Sequence, residues 1–273
     1  MKYAPINGIK ICYEIHGKGK PLFLVHGYAG IKENWFCLIP LLKKSYKVIV
    51  FDLRSTGDSS HPNRPITMKN FSDDLKGLMG YLNIERAHIG GASMGGMIAQ
   101  QFASSYPESV DKLILINTHY NGVMGEIILE SSLNSFENTK NHPEKAFWEG
   151  TAFLYHSSFR RALKKDPKKK VNGLVSAEDL INLIRKDQNS KEDLINHAHA
   201  FKGFDLHDSL NAIKIPTLLL AASNDRILPN SQMLEMEKLI PNSKLIVIPK
   251  TGHGSYREKP QLVANAILKF LEE

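Results

Sequence analysis

The sequence predicts an α/β protein with a doubly wound, mostly parallel sheet and an inserted helical cap. Apolar runs of strand length alternate with stretches of helix length near both ends of the 273-residue chain, which is the pattern of such sheets. The alternation stops in the middle of the chain, where helix-forming residues dominate. A Gly-x-Ser-x-Gly segment also stands between an apolar run and a helical stretch.

Seven apolar segments are predicted to be strands: Ile9–His16, Pro21–His26, Tyr46–Leu53, Ala87–Gly90, Leu113–Asn117, Thr217–Ala222 and Lys244–Pro249. The first of them follow each other without a helix, which predicts an antiparallel start. From Tyr46 onward helices alternate with strands, which predicts parallel pairing. The helices are expected near Asn34–Lys44, Met68–Leu82, Met94–Tyr106, Ser231–Ile240 and Gln261–Leu271.

The middle of the chain, from Tyr120 to Leu210, contains nothing that resembles a buried strand. It has two helix-start signals, Ser176-x-x-Asp179 and Ser190-x-x-Asp193, in which the serine and the acid can cap each other's backbone. We therefore predict a core formed by residues 1–119 and 211–273, with residues 120–210 inserted as the cap.

The composition is that of an ordinary globular protein, with 42% apolar residues and a net charge of +7. Seven basic residues against one acid lie between Arg160 and Lys170, so the excess is local. Without interleaved aromatic residues, this run predicts a solvated surface and no nucleic-acid partner. Two cysteines, and a Met1–Lys20 segment without a signal-peptide core, predict a cytoplasmic protein with no stable membrane association.

The candidate nucleophile is Ser93, in the segment Gly91-Ala-Ser-Met-Gly95. A Gly-x-Ser-x-Gly between a strand and a helix places serine on a tight turn with its hydroxyl exposed. The flanking residues must be small because the two backbones nearly touch, and the N-terminus of the following helix favours negative charge.

A dinucleotide-binding turn is the main alternative for the same segment, because Gly90-x-Ala92-x-x-Gly95 differs from that fingerprint at one position. That fingerprint requires an acidic residue at the end of the next strand, to bind a ribose. The next strand ends in Asn117-Thr118-His119, without a carboxylate. The nucleophile interpretation is therefore favoured.

The candidate acid and base follow two later strands in the order expected for a serine hydrolase. Asp225 lies in the loop after Thr217–Ala222, and His253 lies between two glycines after the last strand. His253 would take the proton of Ser93, and Asp225 would orient the imidazole. His119, which also follows a strand, is the second candidate for a direct catalytic role.

An oxyanion hole is predicted from two backbone N–H groups. One belongs to Met94, directly after the nucleophile, and the other to Tyr28 in the segment His26-Gly27-Tyr28 after the second predicted strand. Gly27 allows the chain to turn towards the site, and we expect His26 to fix this loop without acting as a base.

The chain resembles the α/β-hydrolase superfamily. The resemblance covers residues 5–120 and 205–273, and it is carried by Leu24-Val-His-Gly27, Asp52-Leu-Arg54, Gly57-Asp-Ser59, Gly91-Ala-Ser-Met-Gly-Gly96, Asp225-Arg-Ile-Leu-Pro229 and Gly252-His253. It implies an eight-stranded sheet and a Ser–Asp–His triad. Within the family the chain is most similar to the branch of carboxylesterases, enol-lactonases, carbon–carbon bond hydrolases, cofactor-free haloperoxidases and proline iminopeptidases.

Two positions depart from the family pattern, since Ser55 and Ala222 stand where glycine is usual. Asp52 and Arg54 are interpreted as a structural pair near the site. Serine at position 93 argues against the haloalkane dehalogenases and epoxide hydrolases of this fold, which use an aspartate nucleophile.

The cap offers tentative substrate-binding residues. Trp148, Ala152, Tyr155 and Phe159 are spaced four, three and four residues apart, which predicts one stripe along a single helix. Either this stripe packs the cap on the core, or some of its aromatic rings, Trp148 and Tyr155 above all, cover an acyl pocket. His26, Gly27 and His119 are the tentative substrate contacts from the core.

The predicted activity is hydrolysis of small carboxylic esters through an acyl-enzyme on Ser93, without a metal or an organic cofactor. The partner is then a small-molecule ester or a related acyl compound, and homo-oligomer formation is left open. A lactonase, a carbon–carbon bond hydrolase, an aminopeptidase of the proline iminopeptidase type, and a ligand sensor remain alternatives. An aminopeptidase would need a cap carboxylate for the substrate amine, and four candidates cannot be ranked from sequence: Glu126, Glu130, Glu144 and Glu149.

Overall fold

The computed structural model describes residues 1–186 and 189–273 and contains one eight-stranded sheet. The strands are β1 (Lys2–Ile6), β2 (Ile9–His16), β3 (Pro21–Val25), β4 (Lys47–Phe51), β5 (Ala87–Ala92), β6 (Val110–Ile116), β7 (Thr217–Ala222) and β8 (Ser243–Ile248). Their spatial order is β1-β2-β4-β3-β5-β6-β7-β8. Strand β2 pairs antiparallel with β1 and β4, and all other neighbours are parallel. The predicted fold class is confirmed.

Strand β1 has no counterpart among the seven predicted segments. It pairs with β2 from Lys2↔Tyr13 to Ile6↔Ile9, and only Ala4 and Ile6 in it are buried. An edge strand exposes much of its surface and tolerates proline, here Pro5. It therefore carries no continuous apolar run for a sequence pattern to detect.

Eleven α-helices lie in the described part of the chain. They are α1 (Ile39–Leu42), α2 (Met68–Tyr81), α3 (Met94–Ser105), α4 (Gly125–Asn141), α5 (Pro143–Leu154), α6 (Ser157–Lys165), α7 (Ala177–Lys186), α8 (Lys191–His199), α9 (Ser231–Leu239), α10 (Ser255–Glu258) and α11 (Pro260–Glu272). None of them has both the length and the apolar character needed to cross a bilayer.

Helices cover both faces of the sheet. One apolar cluster joins α2, α3 and α9 to the sheet and includes Phe71, Met97 and Met233. A second cluster joins α1 and α11 to the opposite face and includes Leu38 and Ile267. Parallel strands need apolar cover on both faces. Packed between these helices, the strands hold the loops at their carboxyl ends in fixed positions.

The helix predicted over Asn34–Lys44 is wrong in its extent. The structure has a 3₁₀ turn at Lys32–Trp35 and then the short helix α1. Pro40 lies within the first two positions of α1. A proline has no N–H to continue a preceding helix but fits the first turn of a new one.

The cap consists of helices α4 to α8, which lie between β6 and β7 in sequence. Both predicted helix starts are present, since Ser176 and Ser190 exchange side-chain and backbone hydrogen bonds with Asp179 and Asp193. The two ends of the cap meet, because the N–H of Leu206 donates to the carbonyl oxygen of Tyr120 at 2.9 Å.

Candidate active site

Ser93 lies at the junction of β5 and α3 in a strained backbone conformation, with φ 55° and ψ −127°. Such a positive φ is unusual for a residue with a side chain, and it persists only where surrounding contacts hold it. The Ser93 N–H donates to the carbonyl oxygen of Ile116 at 2.9 Å, and the Thr118 hydroxyl donates to the Ser93 carbonyl oxygen at 2.7 Å. The end of β6 therefore holds the serine in place.

The small residues around Ser93 are required by close backbone contacts. A Cβ on Gly91 would collide with the backbone of Gly95, and a Cβ on Gly95 would collide with the carbonyl of Val25. A Cβ on Gly96 would lie 2.6 Å from the side chain of Thr118. The turn can therefore bring strand and helix together only without these side chains, as the sequence pattern requires.

His253 and Asp225 form a direct hydrogen bond of 2.7 Å between Nδ1 and Oδ2. The side chain of Asp225 is 1% exposed and that of His253 is 12% exposed. The other oxygen of Asp225 accepts the N–H groups of Ile227 and Leu228, both at 2.9 Å. Because a carboxylate only accepts, Nδ1 carries the proton and Nε2 keeps a free lone pair, as a general base requires.

The loops of Ser93 and His253 are both attached to the end of β6. Ser93 donates to Ile116, and the side-chain amide of the next residue, Asn117, donates to the carbonyl oxygen of His253 at 2.7 Å. Asn117 also donates to the hydroxyl of Ser255 at 2.7 Å. Asn117 stands in no recognisable motif, although its position directly after a buried strand could have indicated its role.

The loop that carries Gly27 and Tyr28 lies against Ser93. A Cβ on Gly27 would lie 3.1 Å from the Cβ and 3.6 Å from the Oγ of Ser93, so this backbone faces the hydroxyl directly. Among residues 1–186 and 189–273, the N–H groups of Tyr28 and Met94 donate to no acceptor. Two unpaired donors beside a serine hydroxyl are what a developing oxyanion needs.

His26 holds this loop through both ring nitrogens. Its Nε2 accepts the N–H of Leu53 at 3.2 Å, so Nδ1 carries the proton and donates to the carbonyl oxygen of Gly27 at 2.9 Å. Burial lowers the pKa of His26 to about 4, which keeps the ring neutral. The side chain of Tyr28 points into the cap, where its hydroxyl donates to the carbonyl oxygen of Leu194 at 3.0 Å.

His119 supports the acid loop. Its Nε2 donates to the carbonyl oxygen of Pro229 at 3.0 Å, four residues after Asp225. The ring is 4% exposed, and burial lowers its pKa. With Nε2 engaged in this bond, a neutral His119 has only Nδ1 left, which has no partner among the described residues.

The single-helix stripe predicted for the cap is wrong. Helix α5 ends at Leu154 and α6 begins at Ser157, so Tyr155 lies between two helices. The Tyr155 ring fills the space above Gly254, and its hydroxyl accepts a hydrogen bond from Arg257 at 3.2 Å. Tyr155 thus contacts the loop of His253.

Trp148 lies in a groove on the outside of the cap, with His142, Pro143 and Arg185. The Lys164 ammonium is 5.9 Å from its ring centroid.

The four cap carboxylates that could bind a substrate amine are all exposed to solvent, which is unlike a buried binding site: Glu126, Glu130, Glu144 and Glu149.

The predicted Asp52–Arg54 pair is wrong, because each residue has another partner. Asp52 binds the buried ammonium of Lys32 at 3.0 Å, and Arg54 binds both carboxylate oxygens of Asp74, each at 2.6 Å. The two side chains leave the same turn towards different elements, which their sequence spacing could not reveal.

Lys32 also binds Asp58 at 2.9 Å. Burial alone would lower the pKa of Lys32, but Asp58 and Asp52 outweigh it and raise the pKa above its ordinary value. Cys12, Asp52 and Asp58 bring potential metal-ligand atoms within 4.8 Å of one another. The ammonium of Lys32 already binds both carboxylates. The cluster is therefore better explained as an ion pair with Lys32 than as a metal site.

Comparisons with known proteins identify the family to which the chain belongs. The family model for the alpha/beta hydrolase fold matches residues 20–260, so the chain belongs to the alpha/beta hydrolase fold family. The resemblance inferred from the motifs is thereby confirmed.

The chain is similar along its whole length to particular members of the family. The alpha/beta hydrolase superfamily protein YisY of Bacillus subtilis is 28% identical, with 93% of this chain and 92% of that protein covered. A protein of Azorhizobium caulinodans provisionally named carbamate hydrolase RutD is 25% identical, with 100% and 99% covered. A solved thermophilic esterase from Thermogutta terrifontis is 28% identical, with a TM-score of 0.84 and 100% and 98% covered.

Proposed function

We propose that the chain is a serine carboxylesterase that cleaves small carboxylic esters through an acyl-enzyme on Ser93. The observation that carries the proposal is the 2.7 Å hydrogen bond between Asp225 and His253, whose loop is attached to the end of β6 as Ser93 is. Similarity to an esterase over the full chain supports the same activity.

In the proposed first step, His253 Nε2 takes the proton of Ser93 Oγ as the oxygen attacks the ester carbonyl. The carbonyl oxygen becomes an oxyanion, which accepts the N–H groups of Tyr28 and Met94. Asp225 stabilises the resulting imidazolium. His253 then returns the proton to the leaving alcohol, and the carbon–oxygen bond to that alcohol breaks.

In the second step a water molecule attacks the acyl-enzyme, and His253 takes one of its protons. When the tetrahedral intermediate collapses, the same proton goes to Ser93 and the carboxylic acid leaves. All groups required are side chains and backbone N–H groups of this chain, so the proposal includes no metal or organic cofactor.

Ester hydrolysis is favoured over aminopeptidase activity by the cap carboxylates. An amine-binding carboxylate works best when it is withdrawn from water, and Glu126, Glu130, Glu144 and Glu149 are all exposed. Esters, lactones, carbamates and aminoacyl anilides should therefore be compared in one panel. We expect the highest kcat/KM for short-chain esters and none for the anilides.

The decisive experiment is Ser93→Ala. We expect this variant to lose both ester hydrolysis and labelling by a fluorophosphonate, because the attacking oxygen is gone. Ser105→Ala, an exposed serine at the end of α3, is the matched control and should behave as wild type. Labelling that survives in Ser93→Ala contradicts the proposal.

A further inference from the structure

A buried carboxylate, Glu258, lies directly behind the loop of His253. The residue is 2% exposed, and its two oxygens accept backbone N–H groups from two different parts of the chain. Oε1 accepts from Gly252 at 2.6 Å, and Oε2 accepts from His156 at 3.0 Å. Among the residues described, no lysine or arginine forms an ion pair with it.

The two donors belong to the segments that meet at the candidate base. Gly252 is the residue before His253, in a segment that we call the base loop, residues 251–254. His156 lies between α5 and α6, in a segment that we call the cap junction, residues 154–156.

Other contacts seat the cap junction on the base loop. The N–H of Gly254 donates to the carbonyl oxygen of Leu154 at 2.9 Å, and the ring of Tyr155 covers Gly254. The side-chain amide of Asn172 donates to the carbonyl oxygen of Glu258 at 3.0 Å. Glu258 therefore stands at the point where the cap touches the loop that carries His253.

We propose that Glu258 is a positioning residue, whose carboxylate fixes the base loop and ties it to the cap junction, so that His253 is aimed correctly only while the cap is seated. This inference rests on the proposed role of His253 as the base. The physical reason is that hydrogen bonds to a carboxylate are stronger than neutral ones, and a buried N–H left without a partner is costly.

The charges around Glu258 bear on its protonation. Burial, with a small contribution from Asp225, raises the pKa of Glu258 to about 7, although its two N–H donors and Lys259 act to lower it. In the cap junction, burial raises the pKa of Tyr155, and the charge of Glu258 adds to this effect. As pH falls through about 7 the carboxyl group therefore takes up a proton progressively and holds its two donors less strongly.

The test is Glu258→Gln, which keeps the shape of the side chain but has one acceptor oxygen where the carboxylate has two. The new NH₂ group would face a backbone N–H, so one of the two bonds is lost. We expect kcat for a short ester to fall roughly 10- to 100-fold with little change in KM, because a misplaced base slows the chemical step. The acid limb of the pH profile should also lose the ionisation contributed by Glu258.

Two further variants keep the result interpretable. Glu258→Asp retains the charge but is one methylene shorter. It should therefore lose less kcat than Glu258→Gln and keep the ionisation of this side chain in the acid limb of the pH profile. Glu237→Gln is the matched control, since Glu237 accepts the N–H of Leu245 at 2.9 Å on α9, away from the site. It should leave kcat and the pH profile unchanged.

All rates are normalised to the fraction of molecules that a fluorophosphonate labels. If the wild type does not label, the proposed function fails. If the wild type labels, and a folded Glu258→Gln or Glu258→Asp has wild-type kcat and an unchanged pH profile, the positioning role is overturned. A lower melting temperature with normal kcat per labelled molecule would equally overturn it.

Discussion

At the scale of single residues, the strained backbone of Ser93 and the limited space beside it determine which substitutions near the nucleophile are tolerated. Ser93 has a positive φ, and a Cβ added to Gly27 would lie only 3.1 Å from the Cβ of Ser93. The backbone of Ser93 is therefore held in one conformation with little space beside it, which favours a preorganised nucleophile.

Gly27→Ala should slow the reaction without unfolding the protein. The added methyl group would lie 3.1 Å from the Cβ of Ser93 and 3.6 Å from its Oγ, so it displaces either the nucleophile or the loop of Tyr28. We expect kcat/KM for a short ester to fall roughly 10- to 100-fold.

The matched control is Gly80→Ala in α2, where an added Cβ meets nothing within 4 Å. It should retain full activity and gain about 0.5–1 kcal/mol of stability, because alanine loses less backbone freedom than glycine in a helix. Full activity in Gly27→Ala would show that the loop has more freedom than the structure indicates.

The sequence reveals residues of this kind when they stand in short, constrained segments. Ser93 and His253 could be singled out because glycines flank them at strand ends. Glu258 and Lys32 could not, because their roles depend on partners far along the chain, at His156 and Asp52. No local pattern distinguishes them from exposed charged residues.

At the scale of elements, a buried charge cluster joins the 3₁₀ turn of Lys32 to the end of β4. Lys32 is 1% exposed and Asp52 is not exposed at all, and the N–H of Lys32 adds a 2.7 Å bond to Asp52. Two oppositely charged groups withdrawn from water in this way depend on each other.

Lys32→Met should destabilise the protein by about 3–5 kcal/mol, because it leaves the carboxylate of Asp52 buried without its cation. The double variant Lys32→Met/Asp52→Asn should recover part of this loss. Urea unfolding measures both free energies.

Lys69→Met, which removes an exposed ion pair with Asp73 in α2, should destabilise the protein far less and serves as the control. Equal losses in Lys32→Met and Lys69→Met would contradict the importance of burial.

Elements with a strong period were predicted closely, and the others were not. Strands β2 and β7 have the predicted bounds, because β7 is a continuous buried apolar run and β2 is bounded by the glycines at positions 8 and 17. The cap helices were expected only as a group, since their apolar residues are few and their order depends on contacts with the core. The break between α5 and α6 at residues 155–156 was missed because the sequence there has no helix-breaking residue such as proline.

At the scale of the whole molecule, buried histidines make stability depend on pH. His26 and His197 are each 1% exposed, and burial lowers the pKa of each to about 4. In the unfolded chain both histidines have a pKa of about 6.5 and take up protons there, whereas in the folded state they stay neutral down to about 4. The folded state therefore loses stability as pH falls from 6.5 towards 4.

Glu258 acts in the opposite direction. Its pKa is raised to about 7, so the folded state takes up this proton before the unfolded chain does and gains stability as pH falls from 7 to about 4.5. Each of the three groups shifts by an amount worth on the order of 3 kcal/mol. Among these three groups the two losses outweigh the one gain, so together they lower stability on acidification.

We therefore expect the urea midpoint of unfolding to fall between pH 6.5 and pH 4.5, and to fall more steeply in Glu258→Gln, which lacks the opposing group. Chemical denaturation at several pH values measures both slopes. A midpoint that is constant or rises on acidification would show that His26 and His197 do not stay neutral in the folded state.

The meeting of the two ends of the cap has a consequence for how such a protein can change. The carbonyl of Tyr120 accepts the N–H of Leu206, and the N–H of Gly122 donates to Phe204, both at 2.9 Å. The insertion thus leaves and re-enters the core at one point, and its length adds little to the entropy of closing the chain. A different set of helices can be grafted there without moving β6 or β7, provided that the graft again supplies a carbonyl for Gly254 and an N–H for Glu258. If the proposed function holds, we expect such a graft to change substrate preference, because Ser93, Asp225 and His253 all lie outside the exchanged segment.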